Sequence, residues 1–413
     1  MKPLRICHVI HNTEFGGTET MLLQVLKQLA GKHEMSVVSL MRCGEIGKRI
    51  RSLGIPVYAL NCAKDRKPRP QGLIELVRRI RTLKPEVVQT WAYHADLCGG
   101  VAARLATKAA VVWNIRHTTL DPKIDSRNVL RSARLCARLS NWVPDRILLN
   151  AHAAVDVHAR EGYAREKMEV VPNGFDLKRF QKQPVDRDQI RNELRIPKTG
   201  QLIGMCGRFH PHKGQSEFVK VAKRIASEND NAYFLIAGNR CDKDNVELTT
   251  WIENAELETR FRLVGSRSDI PQLLNAMDLY LLPSLTEGMP NVVGEAMACG
   301  VPVVATDVGD AKFLLGGHGT VVPAEDIPAM TEAANAVLAK PAAVREAIGQ
   351  KSRQRIEDDF EIGVIASKYV STWRAVLDAR SAGTSTSHAA PATIPFPTQP
   401  HTCLLYTSDA ADE

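Results

Sequence analysis

Two carboxylates and two cations stand out by their spacing. Glu287 and Glu295 bracket the segment Gly288-Met289-Pro290-Asn291-Val292-Val293-Gly294. Glu287 falls in a loop after a strand, Asn291 is expected to cap the next helix, and Glu295 lies one turn inside it. Carboxylates so placed can contact two parts of one ligand, such as sugar hydroxyls at each end. The helix N-terminus between them is open to a phosphate. Glu295 as a mere first-turn dipole partner is the simpler alternative, but it leaves the Gly-Met-Pro-Asn loop unexplained. Arg208 and Lys213 flank a second strand-to-helix connection, Gly207 to Gly214. A guanidinium forks onto oxygens while an ammonium acts as a mobile point charge, so the pair suits a diphosphate. Two solvated surface cations are the plainer alternative. Gly16 and Gly17 follow the first strand and open the first helix. They allow close backbone approach and leave helix N–H groups free for a phosphate. They do not form the Gly-x-Gly-x-x-Gly dinucleotide fingerprint.

The elements that must position these groups alternate regularly. Short β-branched runs at 5–10, 35–41, 56–60, 86–91, 110–115, 146–150 and 169–171 read as strands, with amphipathic helices between them. The pattern pauses at 173–184. It resumes with strands at 202–206, 232–237, 261–264, 279–282 and 302–306, and helices at 215–227, 246–255, 270–276 and 291–299. Strand-helix alternation implies parallel sheets. The chain is therefore expected to be α/β, with two doubly wound Rossmann-like domains facing across a cleft. The domains would span 1–177 and 178–360, and ligand would sit at the C-terminal ends of the strands. Helices run from about 328 to 379. Residues 380–402, rich in Ser, Thr, Ala and Pro, are expected to be disordered. Residues 403–413 read as a translated sequencing adapter rather than native protein.

Composition narrows the function. The 413 residues carry a net charge of +8, but residues 1–177 hold 28 Lys and Arg against 16 Asp and Glu. The basic excess belongs to the first half and suggests an anionic partner there. No apolar run is long enough to span a membrane, and the N-terminus lacks a signal-peptide core. The nine cysteines are scattered, which fits reduced thiols in a cytoplasm. Asp186-Arg187-Asp188 and Asp242-Lys243-Asp244 have Asp-x-Asp spacing but sit in loop-like surroundings, so no metal site is expected.

Taken together, Gly16-Gly17-Thr18-Glu19, Val171-Pro172-Asn173-Gly174-Phe175-Asp176, Gly207-Arg208 with Lys213-Gly214, and Glu287 to Glu295 resemble the retaining glycosyltransferases of family 4. The resemblance covers about residues 4–379 and implies the two-domain GT-B fold. It implies that Arg208 and Lys213 clamp the donor diphosphate and that Glu295 binds the ribose hydroxyls. Glu287 would contact the donor sugar, backbone near Asn291 and Val292 would approach the phosphate or sugar, and Gly16-Gly17 would close the diphosphate side. His117 matches the family histidine near the transferred sugar. His94, at the same edge of the sheet, competes with it on the acceptor side. Residues 171–176 would be the hinge, and the helix at 361–379 would cross back onto the first domain. The resemblance further implies same-face transfer without an obligatory cofactor or metal, and argues against a hydrolase-like carboxylate pair.

Arg127, Arg131, Arg134 and Arg138 recur at helical spacing and form one stripe. An ordinary solvated face explains such a stripe as well as docking to anionic lipid heads does. The reading as a whole is transfer from a nucleotide-sugar, a UDP-sugar by family frequency, to a lipid-linked or saccharide acceptor in envelope polysaccharide synthesis. The enzyme would be cytoplasmic, with peripheral contact to the inner face of the plasma membrane. A GT-B-like sugar-nucleotide 2-epimerase is the alternative. A nucleic-acid-binding module ranks low, because aromatic residues make up only 5% and no aromatic-rich binding motif is present.

Overall fold

The computed structural model describes residues 2–61, 63–64, 67–68, 70–122 and 125–383. The stretches read above as a disordered tail and an adapter lie outside them, apart from the first four tail residues. Strands in the first half are β1 (Arg5–Ile10), β2 (Glu34–Ser39), β3 (Val57–Ala59), β4 (Ala63–Lys64), β5 (Lys67–Pro68), β6 (Val87–Trp91), β7 (Ala110–Ile115), β8 (Arg146–Leu149) and β9 (Met168–Val170). Helices there are α1 (Gly17–Leu29), α2 (Glu45–Ser52), α3 (Pro70–Leu83), α4 (Tyr93–Ala106), α5 (Arg127–Leu139) and α6 (Ala153–Arg160). The second half has β10 (Gln201–Cys206), β11 (Ala232–Ala237), β12 (Phe261–Leu263), β13 (Leu279–Leu282), β14 (Val303–Thr306) and β15 (Thr320–Val322). Its helices are α7 (Pro184–Glu193), α8 (Gln215–Glu228), α9 (Val246–Asn254), α10 (Ile270–Ala276), α11 (Asn291–Ala298), α12 (Ala311–Leu315), α13 (Ile327–Leu338), α14 (Ala342–Arg355) and α15 (Ile362–Ser381).

Two open parallel sheets result. The first has order β3-β2-β1-β6-β7-β8-β9 and the second β12-β11-β10-β13-β14-β15. In each, the order reverses beside the first strand, at β1/β6 and at β10/β13. Ligands of doubly wound sheets bind at such switch points, outside the carboxyl ends of the strands. His11 and Ala92 follow the strands of the first switch point, and Gly207 and Pro283 those of the second. The topology alone therefore puts the four loops singled out by sequence at two facing edges.

Both faces of each sheet are buried. Along β1, Ile6 and Ile10 join one core with α1, α2 and α15, while Cys7 and Val9 join the other. That period of two is what a strand imposes. The last helix belongs to the first sheet: Ile365, Tyr369 and Trp373 are buried in its core. Asn114 Nδ2 donates to the Tyr369 hydroxyl at 3.0 Å, and Trp373 Nε1 donates to Gln89 Oε1 at 2.8 Å. These bonds satisfy polar groups that the packing buries.

The two crossings between domains run side by side. Phe175 N donates to Phe360 O at 2.8 Å and Ile362 N donates to Phe175 O at 3.0 Å. A third tie lies at the cleft edge. The buried carboxylate of Asp310 accepts from the backbone N–H groups of His152 (2.6 Å) and Ala153 (2.9 Å), capping α6 from the opposite domain.

Several expectations need correction. The stretch between the pause at 173–184 and the strand expected at 202 holds α7, which starts on Pro184, a residue favoured in the first turn of a helix. Asp186 and Asp188 consequently lie on a helix, not in a loop. Helix α1 stops at Leu29, and Gly31 follows in the left-handed region (φ 75°). Asn291 is the first residue of α11, Pro290 takes the cap position, and no side-chain cap bond forms. The Asn291 side chain is occupied elsewhere, as described below.

Candidate active site in the interdomain cleft

The second-domain wall is built by two loops locked together. Strand β10 ends at Cys206, and Arg208 follows, exposed. A 3-10 turn, Pro211–Lys213, then leads to Gly214, which is left-handed (φ 73°) and starts α8. A Cβ at Gly214 would overlap the carbonyl of Pro283, so only glycine lets the two loops approach this closely. Leu285 N completes the lock by donating to His212 O at 2.9 Å. The result is an ion pair: Lys213 Nζ lies 2.7 and 2.9 Å from the two Glu287 oxygens. Ser284 Oγ donates to the same carboxylate at 2.8 Å. The Glu287 side chain is only 9% exposed, so its charge is held by these partners rather than by water.

Helix α11 carries the second carboxylate. Gly294 faces the hinge so closely that a Cβ would overlap the ring of Phe175. Val292 is partly buried, and Asn291 is exposed at the start of the helix. Burial raises the Glu295 carboxyl to about 7, against a smaller opposing pull from the Arg179 charge. Near neutral pH it is therefore divided between acid and carboxylate.

The first-domain wall is of different character. Gly16 precedes α1 in extended backbone (φ −169°), and the Glu19 side chain folds back over it. His11 and His94 stand with ring centroids 5.0 Å apart, and His117 packs on Tyr93 at 5.2 Å. Burial lowers the pKa of all three histidines, which keeps these imidazoles neutral at pH 7. His117 Nδ1 is buried without a hydrogen-bond partner. Thr118, the next residue, touches the opposite wall so tightly that a Cβ on Gly288 would meet its hydroxyl. His117 is thereby brought to the Glu287 loop, while His94 packs against His11. Between the walls lies a cavity of about 400 Å³ lined by Gly16, Gly17, Asn173, Arg179, Asn291 and Glu295, among others. Four residues predicted from sequence thus share one chamber with two that were not.

Two family models match the chain in tandem. Glycosyltransferase Family 4 matches residues 15–179, and Glycosyl transferases group 1 matches residues 186–355. The chain belongs to the family 4 glycosyltransferases. Similar proteins include the UDP-Gal:alpha-D-GlcNAc-diphosphoundecaprenol alpha-1,3-galactosyltransferase of Escherichia coli, 26% identical over 80% of this chain and 87% of that one. The capsular polysaccharide biosynthesis glycosyltransferase CapM of Staphylococcus aureus is 23% identical over 74% of this chain and 81% of its own length. Among solved structures, Anabaena Alr3699/HepE in complex with UDP and glucose has a TM-score of 0.75 at 22% identity, covering 90% of this chain and all of that one. The fold is GT-B, as the sequence implied.

Within this family 4 glycosyltransferase, the sequence reading passed over Asn173, Arg179 and Arg116. Asn173 was in view only as part of the hinge, and Arg179 follows three residues after that hinge. Neither has a spacing that marks it; only folding brings them to the cavity. Among the described residues, no group of three or more His, Cys, Asp or Glu could hold a metal ion, and no helix is long and apolar enough to cross a membrane. On α5, Arg127, Arg131, Arg134 and Arg138 are all exposed, opposite a face that buries Leu130, Ala133, Cys136 and Ala137. Arg134 is already paired with Glu161 at 3.0 Å. Leu135 and Trp142 are exposed alongside, at 44% and 73%.

Proposed function

We propose that this glycosyltransferase moves a sugar, with retention, from a UDP-sugar to a lipid-linked saccharide in the synthesis of an envelope polysaccharide. The observation that carries the reading is the Lys213–Glu287 pair. It stands across from Thr118, next to a cavity holding Gly16, Gly17 and Glu295. In the proposed reaction the bond from the anomeric carbon to the diphosphate oxygen breaks. The acceptor oxygen then bonds to that carbon from the same face and passes its proton to the departing phosphate. Arg208 and Lys213 stabilise the charge that develops on the leaving group. Glu295 receives the ribose, Gly16 and Gly17 close over the diphosphate, and backbone at Asn291 and Val292 approaches it. Glu287 and His117 face the transferred sugar, with His94 toward the acceptor. No cofactor or metal takes part in any of these steps.

UDP is favoured because a relative uses UDP-Gal and a structural neighbour holds UDP with glucose. The lipid-linked acceptor is favoured by the diphosphoundecaprenol substrate in the same relative's name. The basic stripe on α5 beside exposed Trp142 suits peripheral docking to the inner face of the plasma membrane.

The test is a panel of UDP- and GDP-sugars, with and without a polyprenyl-diphosphate-linked sugar, followed by nuclear magnetic resonance of the product. UDP release that depends on the acceptor and leaves an α-linked product is expected. Release from GDP-sugars only, or an inverted linkage, would overturn the donor or the stereochemistry. Isomerised sugar-nucleotide without acceptor would replace the whole reading by an epimerase.

A further inference from the structure

Arg116 follows β7 in the first domain and is held in an unusual way. Its Nε and Nη1 are buried and have no hydrogen-bond partner. Its Nη2 donates to Asn173 Oδ1 at 2.5 Å. The guanidinium also lies 6.0 Å from the centroid of the Trp91 ring, within cation–π reach. Burying a cation on so few contacts costs free energy, so the one hydrogen bond it does make calls for a role.

That bond has a direction. A guanidinium can only donate, so the Asn173 oxygen must be the acceptor and its amide nitrogen must face the other way. There Asn173 Nδ2 donates to Asn291 Oδ1 at 2.6 Å. The Asn291 oxygen is thereby occupied, and its amide nitrogen is the polar group left over. Asn173 is buried in the hinge, and Asn291 lines the cavity at the start of α11. Asparagine amides are normally ambiguous by 180°. Here the sequence of donors fixes both.

We infer that Arg116 is a positioning residue for the donor site: through Asn173 it turns the amide N–H groups of Asn291 toward the oxygens of a nucleoside diphosphate. The inference rests on reading the cavity as the donor site. It adds a first-domain residue that acts on second-domain binding across the hinge.

Calorimetric titration with UDP and with GDP, beside thermal melting of each variant, tests it. Asn173→Asp is the diagnostic change. Its carboxylate keeps Arg116, now as an ion pair, but offers no N–H to Asn291. The Asn291 amide must then flip and present its oxygen to the diphosphate. Affinity should fall about tenfold, the worth of one hydrogen bond exchanged for a repulsive contact, with Tm unchanged. Arg116→Met removes the donor that sets the direction and should weaken binding to a similar degree. Asn173→Asp binding as tightly as wild type would overturn the relay. So would an affinity loss that merely tracks a fall in Tm. A wild-type protein that binds neither nucleotide would overturn the donor reading itself, and the relay with it.

Discussion

The two walls of the cleft solve different problems with different chemistry. On the second-domain side, charge is paired before any ligand arrives: Lys213 on Glu287, with Ser284 donating to the same carboxylate. On the first-domain side, the imidazoles of His11, His94 and His117 are neutral, each depressed by burial, and the buried Arg116 cation is turned onto Asn173. A wall of fixed charge suits a group that develops charge as it leaves. A wall of neutral donors and acceptors suits hydroxyls that must be oriented but not ionised. The asymmetry explains why the spacing of charged residues was informative for one domain and uninformative for the other.

The sharpest way to break this contrast is Lys213→Ala. It removes the proposed stabilisation of the leaving group and leaves Glu287 without its cation. Loss of one preorganised electrostatic contact of this kind costs about 10²-fold or more in kcat. Stability should also drop, since a largely buried carboxylate loses its partner. Steady-state kinetics and a melting curve measure both; near-native turnover would mean that the charged wall is not where the leaving group sits. The imidazole wall should respond more gently. His117→Ala should lower kcat about tenfold, the scale of one hydrogen bond. His94→Ala, which removes a ring packed against His11, should lower it less. The reverse order would exchange the roles of the two histidines.

Glu295 sits between these regimes, and its titration sharpens the comparison. Burial lifts its carboxyl from 4.5 to about 7 in the folded protein. Between those values the folded state holds a proton that the unfolded state has released, so stability falls as pH rises through that window. Binding runs the other way. In the proposed donor complex the ionised carboxylate accepts the ribose hydroxyls, so UDP affinity should rise as pH passes 7. The diphosphate titrates as well, which makes the difference between wild type and Glu295→Gln the quantity to follow. In the variant, the part of the pH dependence centred near 7 should vanish, and stability at high pH should improve. Identical pH profiles for the two proteins would remove Glu295 from the ribose site.

Most of the fold and part of the candidate site were legible in advance, for a physical reason. Strand-helix alternation is local, so both parallel sheets could be read from short windows. Gly214 and Glu287 announced themselves by local turn chemistry. Arg116, Asn173 and Arg179 did not, because their roles arise where the hinge folds against α11. The side chain of Asn291 shows the same limit: its type suited a cap, but a partner 118 residues away in sequence claimed its oxygen instead. Helix α7 escaped because a polar segment with little hydrophobic periodicity resembles a linker, even when Pro184 marks its start.

The smallest expected effect concerns the outer surface of the neutral wall's domain. Four arginines share one face of α5, and electrostatic attraction to anionic lipid is worth about 1 kcal/mol per basic residue near the surface. Arg134 is not equivalent to the others, because Glu161 already neutralises it at 3.0 Å. Replacing Arg131 by Ala should therefore weaken sedimentation with phosphatidylglycerol vesicles several-fold at low salt. Replacing Arg134 should still weaken it to a similar degree, because the Glu161 carboxylate left without its partner repels the lipid. A much smaller loss from Arg134→Ala would mean that this part of the helix turns away from the membrane. No loss from either, with vesicle binding absent in the wild type, would return the stripe to a solvated face and confine anion recognition to the cleft.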